Sequence, residues 1–271
     1  MSGDEAFILL ICSLIALIGW GLWYYITSAA AGFGAARTQR MPLYVIPLAC
    51  AALLLVVLKL AASHDVRDSF IYTSFYLVMG AAWVVLWTAP LRLLGISARD
   101  DALERRNPAA VHAVAGALLA LTLCFAGGNI GDGPGWWVVV FCAGMATVTL
   151  LLTGAIVQKL GERWELISVE RDAASGVRLA GFLVAVGLVC GRGAAGDWTS
   201  AANAVRDFVT IAWPVLPLAV VEIVASRLLR PTPERPEPPL AAFGFIPAAI
   251  YVALASAYVW EVGPWSTQLE R

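Results

Sequence analysis

The chain has 271 residues, 60% of them hydrophobic and only 14% charged, with a formal net charge of −1. Soluble domains carry about 25% charged residues, and the apolar residues here fall into blocks of about 20, enough to cross a hydrocarbon core roughly 30 Å thick. Length and composition therefore argue against a soluble fold, and the short loops of mixed charge argue against nucleic acid as a partner.

The hydropathy pattern predicts an all-α integral membrane protein, a single polytopic domain over 1–271. The first predicted span, 7–28, follows Asp4 and Glu5 and has neither a basic n-region nor a convincing cleavage site, so it is expected to be retained as a helix. Trp20, Trp23, Tyr24 and Tyr25 near its end are expected at an inner interface and in helix contacts. The second span, 43–62, carries Lys59 a few residues from its outer end. That intramembrane charge can snorkel to the surface, or it can meet a substrate or ion. Span three, 70–93, leads to a charged loop, and span four covers 109–128 with His112 expected at the interface. Glycines 127, 128, 131, 133 and 135 mark an outer loop before span five, 136–158. Span six, 174–193, places Arg178 near its start, where an interfacial position like that of His112 is expected. Trp213, Pro214 and Pro217 interrupt span seven, 207–229, so a break or kink is expected there. Span eight, 240–261, completes the series.

Orientation follows from the basic residues, because positively charged loops stay cytoplasmic. Arg37, Arg40, Arg92, Arg99, Arg105, Arg106, Lys159, Arg163, Arg171, Arg178, Arg227, Arg230 and Arg235 all follow odd-numbered spans. Only Arg67, Arg192, Arg206 and Arg271 stand on the other side. Both termini are accordingly expected on the non-cytoplasmic side. Trp136, Trp137, Trp198, Trp260 and Trp265 cluster at the predicted outer ends, where amphipathic rings favour headgroup depth.

The charged words of the loops recur. Gln39-Arg40, Glu104-Arg105, Glu170-Arg171 and Glu234-Arg235 follow one another at intervals of 65, 66 and 64 residues, each before an even-numbered span. Between 104–116 and 170–181 the match extends through Asn107 and Asp172, Ala109 and Ala174, and Gly116 and Gly181. This pattern predicts four tandem helix hairpins, about 1–62, 63–128, 129–193 and 194–271, entering the membrane with the same orientation. The acid or amide before each helix can cap it and complement its dipole. Arg40, Arg105, Arg171 and Arg235 are then candidate cytoplasmic contacts for membrane lipids or another anion. The alanine and glycine steps allow close helix approach.

The E-R-x-N-x-A-A…A-G pattern of 104–116, written again as E-R-D-A-A…A-G at 170–181, resembles the YjfL-like family of bacterial inner-membrane proteins with a duplicated two-helix domain. The resemblance covers about residues 70–193. It implies a bacterial inner (cytoplasmic) membrane location and brings with it no catalytic residue or cofactor. Trp83 with Thr88-Ala89-Pro90-Leu91 is similar to the third helix of microbial rhodopsins, yet span seven has no lysine for a retinal Schiff base.

Twelve residues before each loop pair stand Thr27, Arg92, Gln158 and Glu222, near the inner ends of the odd spans. They form a candidate polar layer, in which Glu222 and Arg92 are expected to approach each other because paired charges lower the cost of burial. Neither G-x-S-x-G, H-E-x-x-H nor a Walker-type loop occurs, so the chain is read as non-enzymatic and without a cofactor. His64, Asp65 and Asp68 share an outer turn, but two histidines in the whole chain argue against a metal. The five cysteines lie singly in apolar runs as small hydrophobes. Three functions stay open at this point: a scaffold or partner-binding subunit, meeting lipids, another protein or a second copy; a channel or transporter using the polar layer; and an integral membrane enzyme, which the absence of an acid–base cluster disfavours.

Overall fold

The computed structural model describes residues 1–32, 34–91, 96–162 and 165–263. Its helices are α1 (Gly3–Ala29), α2 (Arg37–Leu60), the single turn α3 (His64–Arg67), α4 (Phe70–Thr88), α5 (Pro108–Gly127), α6 (Trp136–Leu160), α7 (Ala173–Ala194), α8 (Ala201–Ala212), α9 (Val215–Leu228) and α10 (Ile246–Val262). Short π-helical segments, Ala98–Glu104, Glu165–Val169 and Ala241–Phe245, precede α5, α7 and α10. Taking α8 and α9 as one interrupted span, and Ala241–Val262 as another, eight helices among the described residues are long and apolar enough to cross a membrane. The architecture is that of a multi-pass helical membrane protein.

Local chemistry sets the helix boundaries. Ser2 and Glu5 form a reciprocal capping box at the start of α1. Asn107 accepts from the Ala109 and Ala110 amides ahead of Pro108 at the first helical position. Asp172 does the same for Ala174 and Ser175. The expected interruption of span seven is a real break: α8 stops at Ala212, and α9 restarts at Val215 after Trp213 and Pro214. Pro47 has a subtler effect within α2. Its missing amide leaves the Leu43 carbonyl without an intrahelical donor, and the Trp23 indole supplies one at 2.8 Å.

The loops before α5 and α7 share one backbone course. Arg106 and Arg171 have left-handed φ values of 54° and 58°, respectively. The amides of Arg105 and Glu170 bond back to Asp100 and Glu165, and those of Asn107 and Asp172 to Asp101 and Leu166. Both of these donor–acceptor pairs recur 65 residues apart.

The buried centre is the crossing of α5 with α7, flanked by α2 on one side and α10 on the other. Lipid is as apolar as leucine, so membrane helices associate through close packing and not through hydrophobic exclusion. Glycine permits that approach here. A Cβ at Gly116 would run into the Cα of Ala180, one at Gly127 into the Gly191 backbone, and one at Gly176 into the Ala109 carbonyl. The α7–α10 contact repeats the device with Gly181 against Ala248, and Gly244 of the segment before α10 lies against Ala174. Gly116→Val is therefore expected to lower stability in detergent by about 1–3 kcal/mol through overpacking. Gly21→Ala, at an exposed site with open space around it, is expected to leave the unfolding transition within about 0.5 kcal/mol of wild type. Thermal unfolding of the two purified variants checks both.

Candidate functional site

The most unusual chemistry in the apolar body is a charged pair sealed beside α7. Arg178 stands six residues past the Asp172 cap of α7, and Glu222 stands near the middle of α9. Both side chains have 0% exposure, and the Arg178 Nε to Glu222 Oε1 separation is 3.7 Å. An arginine in a membrane span is costly unless its donors are occupied. One guanidinium nitrogen donates to the Phe243 carbonyl at 2.7 Å, and another to Ser175 Oγ at 3.2 Å. The Tyr251 hydroxyl of α10 donates to Glu222 Oε2 at 2.7 Å. Its ring sits edge-on to Phe182.

Local sequence explains the geometry. The Phe243 carbonyl that accepts from Arg178 of α7 lies within the π-helical segment Ala241–Phe245, and such segments are frequent at functional sites. Ser226, one turn beyond Glu222, donates to the Glu222 carbonyl. Close by, the α6 end packs on α9: Gly161 faces Ser226, and Arg227 donates to the Leu160 carbonyl. Gln158, three residues before Gly161, is buried on α6. Polar contacts thus join α7 to α9 and α10, and α9 to the end of α6.

Several sequence expectations find a definite place. Arg178, expected near the interface as His112 is, is fully buried within the protein, where the Phe243 carbonyl and Ser175 accept from it and Glu222 lies alongside. His112 is partly exposed near the start of α5. Arg92 lies outside the described residues. Thr27 is buried in α1, where its hydroxyl donates to the Trp23 carbonyl. It borders a cleft of about 260 Å³ with Thr88, Ser97 and Arg99, between α1, α4 and the Ala98–Glu104 segment. Lys59 reaches the Arg67 carbonyl at 2.6 Å, bridging the end of α2 to the α3 turn.

The four loop arginines differ in their contacts. Arg40 donates to the Ala35 carbonyl, and Arg105 pairs with the buried Asp101 at 3.1 Å. Arg171 is exposed. Arg235 lies over the Phe243 ring at 5.2 Å, a cation–π arrangement. Beside Arg171, the Glu170 carboxyl protonates more readily than an ordinary glutamate. Partial burial is the main cause, reinforced by Glu165 and Asp172 and opposed by Arg230.

The sequence did not indicate that Arg178, Ser175, Tyr251 and the Phe243 carbonyl meet. The available signal was an arginine inside a span, together with a tyrosine in another span, each needing a polar partner. No family model, curated protein or solved structure matches the chain.

Because removing one member strands the other in apolar surroundings, Arg178→Ala and Glu222→Ala are each expected to cost about 3–5 kcal/mol. Arg178→Met combined with Glu222→Leu is expected to recover more than half of that loss, since no lone charge remains. A double-mutant cycle on detergent unfolding measures the coupling. For Glu170 the folded protein favours the neutral acid, so its contribution falls as pH rises from the unfolded to the raised folded pKa. Glu170→Gln is accordingly expected to raise the melting temperature at pH 8 relative to its effect at pH 4, and paired melts at the two values test it.

Proposed function

We propose that the chain is a membrane scaffold or partner-binding subunit, built as four tandem helix hairpins with both termini outside and its arginine loops at the cytoplasmic face. A bacterial inner membrane and kinship with the YjfL-like proteins belong to the same reading, as does the lack of a catalytic role. Supporting the tandem arrangement are the matched backbone courses before α5 and α7 and the glycine contacts that recur from α5–α7 to α7–α10.

One observation carries the scaffold reading. The strongest polar group in the apolar body, Arg178 with Glu222, is at 0% exposure and binds α7 to α9 and α10. Its chemistry holds helices together. Around that fixed centre, α1, α9 and α10 present broad apolar faces, including Leu10, Leu17, Val220 and Leu254, to lipid or to a partner's helices.

A second reading, an ion or small-solute pathway, is favoured by the helix break at Trp213–Pro214 and the π-helical course beside the ion pair. Irregular backbone at membrane depth is found where it is buried in protein or lines a polar route. Flux into reconstituted vesicles separates the two. Wild type, Arg178→Gln and Glu222→Gln are all expected to leave a panel of ion and sugar gradients intact. Crosslinking in native membranes is expected to capture a stoichiometric protein partner or a second copy. A gradient dissipated by the wild type and changed by Glu222→Gln would replace the scaffold with the transporter.

A further inference from the structure

A cleft of about 190 Å³ lies between α1, α2, α4 and α5, away from the ion pair. Its floor is formed by buried Leu54, Gly80 and Val84, and its rim by exposed Leu48 and Ala51. The walls are fixed. Trp20 donates to the Ala81 carbonyl at 3.1 Å, and Tyr24 stacks on Tyr44 with centroids 5.9 Å apart. Ser28 Oγ and the Tyr44 hydroxyl meet at 2.6 Å. These contacts tie α1 to α4 and to α2 and leave the apolar cleft between them.

The N-terminal end of α2 carries unbalanced positive charge. Arg37 and Arg40 occupy its first turn, which has no acidic residue. Cations at a helix N-terminus oppose the macrodipole, whereas an anion there is favoured. Arg37 is exposed; Arg40 bonds the Ala35 carbonyl through Nε. Neither has an ion-pair partner among the described residues. On α2 the positions Arg40, Tyr44, Leu48 and Ala51 follow one helical stripe, so charge and cleft share a face. From Arg40 to Ala51 the helix rises about 16 Å, close to the roughly 15 Å half-thickness of a hydrocarbon core.

We propose that this cleft binds one anionic phospholipid, with an acyl chain between α1, α2 and α4 and the phosphate at Arg37 and Arg40. The complementarity is in two parts at the right separation: an apolar slot at chain depth and paired arginines at headgroup depth. The site rests on the membrane-embedded reading of the chain. It needs neither a protein partner nor a transported solute.

The test reconstitutes the full chain in vesicles of mixed phosphatidylcholine and phosphatidylglycerol and measures retained lipid by native mass spectrometry. Wild type is expected to retain phosphatidylglycerol over phosphatidylcholine. Arg37→Gln and Arg40→Gln are each expected to reduce that preference about fivefold. Ala51→Trp and Leu48→Trp, which fill the slot from its exposed rim, are expected to lower total retained lipid while leaving the melting temperature unchanged. Equal retention of the two lipids by wild type would overturn the proposal, as would wild-type lipid content in a stably folded tryptophan variant. Because only purified protein and defined lipids are present, either failure is distinct from the absence of a native partner or the appearance of solute flux.

Discussion

The close contact of α5 with α7 is the constraint on which the other helices depend. In a bilayer two apolar helices gain nothing by hiding from lipid, so only intimate packing holds them. Gly116, Gly127, Gly176, Gly187 and Gly191 remove the side chains that would keep the backbones apart. The cost is flexibility in the unfolded chain and a helix less stable by itself. The α5–α7 packing offsets it, and both helices are buried along most of their length.

Around that pair the outer helices are attached by more specific means. The α10 helix packs on α7 through Gly181 and Ala248, and the Phe243 carbonyl and Tyr251 also draw it to Arg178 and Glu222. The α9 helix brings the carboxylate and is held to α6 through Gly161 and Ser226. On the other side, α1 is tied to α4 and α2 by indole bonds to the Ala81 and Leu43 carbonyls. Polar contacts here act as fasteners at chosen points, because an unsatisfied donor in an apolar body is costlier than one in water. The same economy accounts for the Pro47 and Trp23 pairing: a proline removes a donor from one helix, and a neighbouring helix replaces it.

Charge is distributed in the same spirit. Arg105 pairs with Asp101, Arg99 with Glu104 and Arg235 with the Phe243 ring, so these loop cations have local partners. The first turn of α2 differs, because Arg37 and Arg40 share it with no acid and stand at the positive end of a helix dipole. Buried and surface arginines therefore carry different chemistry in one chain. Depth and neighbours decide which.

Hydropathy located the eight helices long and apolar enough to cross a membrane among the described residues, and proline and tryptophan marked the interruption between α8 and α9, because span length and broken helices are local properties. The caps at Asn107 and Asp172 were legible for the same reason: a cap acts within three residues of its own helix. Repetition in the loops pointed to Ala109, Gly116, Ala174 and Gly181 as packing positions without saying which helix each would touch. The burial of Arg178 was not legible, since a residue six positions into a helix can face lipid or protein, depending on its neighbours. Its meeting with Glu222, Tyr251 and the Phe243 carbonyl joins residues from three separate spans. Local patterns govern where a chain enters and leaves the bilayer. Which side chains share its interior is settled only when helices distant in sequence turn particular faces to one another, and here that choice was made by packing.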